Sequence, residues 1–404
     1  MKHSLIIMLM MLLPLTSAAE SSAYDQQKPF GFCTRSSRTQ DIAYDVTGGG
    51  CYDYPVKGVS SSDVVTLTSN GADMRDVIRE AIANHRVIIF DGSEGCFSVS
   101  GTIELNNIRD KTLLGINHAR LCTTWHVTPE IIGALNEAGV RGMSTSGNGG
   151  TLSNGRQVRE QAEFVTRQTI ISLTGDMKEK YRQSGIFLFR GCQNLVIRNL
   201  QFVGPGSIDV GGSDLVSFNG TTHCWVDHCD FMDGMDGNFD ITMQSDFNTV
   251  SWCTFSYTER SYMHQNTNLV GYSDKEATGC QNTTFAFCHW GDNCNVRMPM
   301  ARVGKIHMLN NYYTCAGCSN CINPRKNSEF LVEGNYFGEG IKRCYSQNDA
   351  VAVTWSDNNH IAEESHRYPT SFGPTVTVPY AYTVAPTEVV PVEVGNYAGA
   401  TLFR

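Results

Sequence analysis

Six short segments in the second half of the chain align on a terminal aromatic residue: Leu195–Phe202, Cys224–Phe231, Asn248–Phe255, Thr283–Trp290, Ile306–Tyr313 and Phe330–Phe337. The aromatics lie 29, 24, 35, 23 and 24 residues apart, a period that belongs to architectures built by stacking. Five positions before each stands an apolar residue: Ile197, Val226, Val250, Phe285, Met308 and Val332. Two positions before stand Leu200, Cys229, Cys253, Cys288, Asn311 and Asn335. Like residues recur in runs, as expected where each turn buries its inward side chains against the next. An offset of five is odd, so one straight strand would send the two apolar columns to opposite faces. A bend between them turns both inward, and Asn near that bend suits its tolerance of left-handed backbone. The pattern predicts an all-β, single-stranded parallel β-helix. Cys229, Cys253 and Cys288 are then a buried ladder of small apolar groups, the ordinary behaviour of free buried Cys, rather than catalytic or metal-bound thiols.

The flanks fit around that body. Met74, Val77, Ile78, Ala81 and Ile82 fall at helical spacing, with Ser69 or Asn70 available as cap. This amphipathic helix is expected to cover the open N-terminal end, where a bare sheet edge would invite aggregation. Strands are predicted at Val87–Phe90, Thr102–Leu105 and Thr112–Leu114. The character changes between about 124 and 183, with helix-prone stretches at Pro129–Ala138 and Gln157–Arg167 around a Gly/Ser-rich break. This reads as an insertion on one domain spanning 20–404. Pro374–Val394 should run extended along the outside.

Lys2 and His3 precede an apolar run from Leu5 to Leu15 and the small residues Thr16–Ala19. That is the layout of a signal peptide, residues 1–19, too short to span a bilayer. The mature chain is expected to be secreted or periplasmic. A net charge of −9 argues against a nucleic-acid or anionic-membrane partner, which would call for a basic face. Fifteen cysteines in an exported chain suggest disulfides, the odd count leaving one over. Cys315, Cys318 and Cys321 resemble part of a zinc or iron–sulfur cluster, but the ferredoxin run would place its fourth Cys where Arg325 stands. A loop closed by one local disulfide is the expectation there.

Chemistry-bearing residues concentrate between His223 and Gly304. Asp236 and Asp240 are four apart and share a face in strand or helix, and Asp227 precedes them. Three converging carboxylates would repel one another unless a hard cation neutralised them, and such oxygen ligands suit Ca2+. The plainer alternative is that Asp236-Gly237 is a turn and Asp227 an exposed strand acid. Arg297 and Arg302 flank Pro299, which disfavours a straight strand. Two guanidiniums on one site would grip carboxylates in bidentate fashion, or else pair with surface acids.

The stretches Trp225-Val-Asp-His228, Asp236-Gly-Asn-Phe-Asp240, Val250-Ser-Trp-Cys253, Leu269-Val-Gly-Tyr-Ser-Asp274 and Arg297-Met-Pro-Met-Ala-Arg-Val-Gly304 resemble, in that order, the pectate lyases of the right-handed parallel β-helix type. Pro379–Tyr382 and Ala398–Ala400 resemble that family's tail. The likeness is strongest over about 185–337 and weaker over 48–121, with the 124–183 insertion outside it. It implies a Ca2+-dependent lyase that cleaves polygalacturonate by β-elimination, the chain acting as a monomer. Asp227, Asp236 and Asp240 match the family's calcium ligands, Arg297 the arginine that meets the proton alpha to the uronate carboxylate, and Arg302 the one that holds a neighbouring carboxylate. An arginine is not ordinarily deprotonated in a protein, so Arg297 is expected to act chiefly on the negative charge that develops. One position departs. Asn266 stands where the family usually has a substrate-binding lysine, so a hydrogen bond to sugar replaces a charge; Met300, often basic in relatives, is neutral here.

Two rival readings follow from the same residues. A calcium-independent pectin lyase would act on esterified chains, for which the acids have no use. A non-catalytic polyuronate-binding β-helix would not require Arg297. A hydrolase on the same fold would need paired carboxylates acting on water, and no segment resembles such acid motifs.

Overall fold

The structure is a computed structural model that describes residues 22–140, 158–208, 212–362 and 370–403. The expected signal peptide lies outside these residues, as does the Gly/Ser-rich break of the insertion. Among the described residues the strands fall into three parallel sheets of ten, seven and nine strands, neighbours in each being one turn of the chain apart. The fold is the parallel β-helix that the repeat predicted.

A complete turn contributes one strand to every sheet. Val216–Asn219, Thr222–Asp227 and Asp230–Met232 make one such turn, and Phe239–Thr242, Asp246–Ser251 and Thr254–Ser256 the next. The bend between the ten- and nine-stranded sheets falls three residues before each column aromatic. Asn199, His228, Trp252, Phe287, Asn310 and Gly334 all have positive φ there. The left-handed residue is thus one position earlier than Asn311 and Asn335, which serve differently. Asn311 Nδ2 donates to Asn335 Oδ1 and Asn335 Nδ2 to Asn359 Oδ1, each at 2.9 Å, so their amides form a buried ladder along the axis.

Inside, the aligned aromatics stack. Phe202, Phe231, Phe255, Trp290, Tyr313 and Phe337 form one column with ring centroids 4.5–5.4 Å apart. Cys229, Cys253 and Cys288 are fully buried beside it, as the ladder reading required. The helix Arg75–Asn84 covers the N-terminal end, placing Met74, Ile78, Ala81 and Ile82 in the core and leaving Val77 exposed. Its cap differs from the expectation. Met74 occupies the cap position and Asp73 Oδ1 accepts from Arg75 N, while Ser69 Oγ is spent on Cys96 O. The insertion holds helices Pro129–Glu137, Val158–Thr174 and Met177–Arg182. The C-terminal segment is extended only at first, and Val390–Tyr397 forms a helix that buries Val390 and Val394 against Trp252 and Leu309.

Deleting a ring in mid-column leaves a cavity that rigid neighbouring turns cannot fill. Phe255→Ala should therefore cost about 3–5 kcal/mol, read as a shift in the urea midpoint at unchanged slope. A loss below about 1 kcal/mol would mean that the column is not what holds the turns together.

Candidate active site

The site is built on the outer face of the seven-stranded sheet. Alternation sends Phe187, Phe189, Val216, Phe218, Phe239, Ile241, Val270 and Ala301 into the core. The register then lines up Leu188, Ser217 and Asp240 on the outside, followed by Leu269 and Met300. Asp240 is locked in place because its Oδ1 accepts from Leu269 N at 2.9 Å.

Asp236 and Asp240 come together as expected, but the third acid is Asp214 and not Asp227. Asp214 lies just before the strand Val216–Asn219, one turn below. A Cβ added to Gly237 would lie 2.7 Å from Asp214 Oδ1 and 3.3 Å from Asp240 Oδ1; two carboxylate oxygens thus converge on the space that this glycine leaves open. The three acids share a cavity of about 300 Å³ with Ser213, Ser217, Leu269 and Tyr272. Ser217 Oγ donates to Asp214 Oδ2 at 2.8 Å, while Asp214 Oδ1 is buried with no hydrogen-bond partner. Burial, then the charge of Asp236, pushes Asp214 up to about 7, against the pull of Ser217 and Arg297. Asp240 is raised well above the ordinary carboxylate range by burial and by Asp214. A divalent cation fits this donor set: a partnerless oxygen, mutual repulsion and oxygen ligands only.

Asp227 belongs to another structure. It ends the strand Thr222–Asp227 in the ten-stranded sheet, past the turn at Gly220. It is fully buried, accepting from Arg198 Nε at 2.9 Å, His228 Nδ1 at 2.8 Å and Ser251 Oγ at 2.6 Å. Those partners hold its carboxyl below the usual range despite burial. Arg198 also bonds Asp53, and its guanidinium packs 5.1 Å from the Trp225 ring. The acid is the centre of a buried network under the N-terminal segment.

On the far side of the acids stand the cations. Arg297 has positive φ and lies near enough to Asp214 and Asp240 to favour both carboxylates. Arg302 Nε donates to Asp274 Oδ1 at 2.7 Å and its Nη1 to Gly271 O at 2.8 Å. Burial lowers its pKa, and the charges of Arg325 and Arg297 push the same way. Arg325, which the sequence did not mark as a site residue, sits one turn beyond with its Nη1 3.8 Å from Met300 Sδ, bringing a charge beside the neutral Met300. Asn266 bridges to Val296 across the next turn. Its Nδ2 lies 2.8 Å from His264 Nε2, which is itself 3.0 Å from Asp236 Oδ1. The sequence-predicted residues other than Asp227 therefore occupy one face, acids at one end and arginines at the other.

A parallel β-helix with carboxylates facing guanidiniums across one sheet can hold a cation and anionic groups side by side. A family model described as "Pectate lyase" matches residues 144–402. Pectate lyase A of Aspergillus niger is 31% identical over 259 residues, 61% of this chain and 74% of that one. The pectate trisaccharide-lyase of Thermotoga maritima is 36% identical over 139 residues, 32% of this chain and 36% of that one. Among solved structures, the cedar pollen allergen Jun a 1 superposes with a TM-score of 0.59 at 17% identity, over 92% of both chains. A pectate lyase from Bacillus sp. N165, in complex with trigalacturonate, gives 0.54 at 16% identity over 93% of this chain and all of that one. The chain belongs to the pectate lyase family, and it is a polysaccharide lyase.

The two kinds of aspartate respond oppositely to removal. Asp214 titrates near 7 when folded and near 4 when unfolded, so its contribution to stability is complete below about pH 4 and is lost as pH rises through about 7. In chelator, melting temperature should fall across that window, and Asp240→Asn should flatten the fall. Asp227→Asn should instead cost about 3 kcal/mol and leave the slope in place. A flat profile for the parent chain would refute the assigned repulsion.

Proposed function

We propose that the chain cleaves polygalacturonate by calcium-dependent β-elimination outside the cell. The observation that carries this reading is the partnerless, buried Asp214 Oδ1, converging with Asp240 above Gly237 on the face that also bears Arg297. Asp214, Asp236 and Asp240 would hold the ion, which, when bound, neutralises a uronate carboxylate and makes the neighbouring C5 proton more acidic.

The rest follows from the chain's own side chains. Arg302, fixed by Asp274 and Gly271, orients a second carboxylate. Arg297 faces C5, whose proton leaves to solvent, and stabilises the charge that builds there. The C4–O bond then breaks, a C4=C5 double bond forms, and the departing oxygen takes a proton from solvent. Asn266 offers the sugar a hydrogen bond in place of a lysine charge, with Arg325 supplying positive charge one turn further along. A second cavity, of about 780 Å³, shares the walls Thr102, Leu188, Gly212 and Ser213 and carries Arg75, Arg182 and Arg190. Glu179 lies 3.1 Å from Arg182 and Glu104 3.9 Å from Arg190 in the same cavity, so acids already balance two of the three guanidiniums.

The expected signal peptide supports export, and among the described residues no helix is long and apolar enough to cross a membrane. The chain from residue 20 onward forms one domain in this reading, with the insertion as an outgrowth that lends Tyr181 and Arg182 to the second cavity, and it acts as a monomer.

With polygalacturonate, the ultraviolet absorbance of unsaturated uronates should rise, stop with a calcium chelator and resume when calcium is restored. Arg297→Lys should lose about 100-fold or more in kcat. A rise indifferent to chelator would make this a pectin-lyase-like site, and binding without any rise would make it a polyuronate-binding protein.

A further inference from the structure

The loop after the column residue Tyr313 gathers thiols in a way that the core ladder does not. Cys229, Cys253 and Cys288 come one from each turn. Cys315, Cys318 and Cys321 come from a single loop, are buried, and have sulfurs that all lie within 4.8 Å of one another. Among the described residues they are the only three potential ligating side chains so closely grouped. They are not disulfide-bonded, Cys96–Cys122 being the one bridge among the described residues, which corrects the local disulfide expected from spacing.

We propose that Cys315, Cys318 and Cys321 form a thiolate site for one soft, closed-shell metal ion of the zinc(II) type, with the Met298 thioether at its fourth corner. Cys318 Sγ and Cys321 Sγ are 3.7 Å apart. Sulfurs bound tetrahedrally at about 2.3 Å from zinc are separated by about 3.8 Å. Met298 Sδ lies 3.4 Å from Cys315 Sγ and brings a fourth soft atom to the group. Three thiolates carry three negative charges, so in an apolar setting a divalent ion balances them better than a monovalent one. The protons displaced on binding leave to solvent.

The backbone is prepared for this. Cys318 N donates to Cys315 O, Gly317 N to Gly340 O, Cys321 N to Arg343 O and Ser319 N to Asn295 O, so the loop is tied to the turns on both sides. Met298 N donates in turn to Cys321 O, and Tyr313 Oη to Met298 O. An ion here would brace the residue that directly follows Arg297.

The test uses the full chain, reduced, freed of metal and kept anaerobic. Zinc(II) alone, added against a chromophoric chelator, should bind at one ion per chain, unaffected by calcium. Cobalt(II) in its place should give the near-ultraviolet thiolate charge-transfer band, and either ion should protect Cys315, Cys318 and Cys321 from alkylation in a peptide map. Cys318→Ser should remove the band and weaken zinc at least 10-fold, whereas Cys229→Ser should change neither. Alkylation mapping of the unsubstituted chain keeps the idea exposed should Cys318→Ser fail to fold. Absence of zinc binding with all three thiols reduced would overturn it, as would a disulfide among the three in the protein as produced.

Discussion

Everything in this molecule depends on turns of the chain repeating their backbone conformation closely enough for identical positions to stack. The left-handed residue three places before each column aromatic sets the angle between two sheets, and it recurs as Asn199, His228, Trp252, Phe287, Asn310 and Gly334. Because the angle repeats, the aromatic column, the Cys ladder and the Asn ladder can all form. Non-glycine residues pay conformational strain at such positions, and the stack outside compensates: Trp252 lies against Phe287 at 4.5 Å and His228 against Trp252 at 5.7 Å. The same rigidity places active-site groups. Asp214, Asp240 and Arg297 sit at or just before strands whose inward neighbours are fully buried.

The body of the fold was legible because stacking leaves a trace in sequence. Similar residues at similar offsets, an odd separation between apolar columns and Asn beside a bend were enough to infer inward-turning strands. The corner itself was harder to place by one residue, since Trp and Phe carry no local preference for left-handed backbone. The cap of the N-terminal helix was missed for a related reason. Asp73 bonds both Arg75 N and Ser100 N, and the second partner is set by tertiary structure.

The site was legible in part. Arg297, Arg302, Asp236 and Asp240 share a face because the spacing in their motifs is local. Asp227 was misplaced because a repeat gives the position within a turn and not the sheet on which a residue lands. Two corners, at Gly220 and His228, bracket its strand, and beyond them the outward face is covered rather than open. Asp214 carries no motif. Its signal was geometric, lying one turn before Asp236–Asp240 near the start of the same sheet's preceding strand. The local disulfide expected at Cys315–Cys321 fails likewise on geometry, since the loop holds its three sulfurs as a group.

The segment around Phe32 and Cys33 crosses the outside of the ten-stranded sheet, where Phe32 N donates to Thr284 Oγ1 and Cys33 N to Thr249 Oγ1. Nearby, Asp53 and Tyr52 O bind Arg198. These partners lie more than 140 residues further along the chain. During synthesis this segment emerges before the strands that hold it, and it has nowhere to dock until several later turns have been built. The segment is a latch made before its door. Until the strand Thr283–Ala286 is in place, the thread must wait in an open form, its apolar residues uncovered, and that interval is when the chain has most need of a passage that keeps it apart from its neighbours.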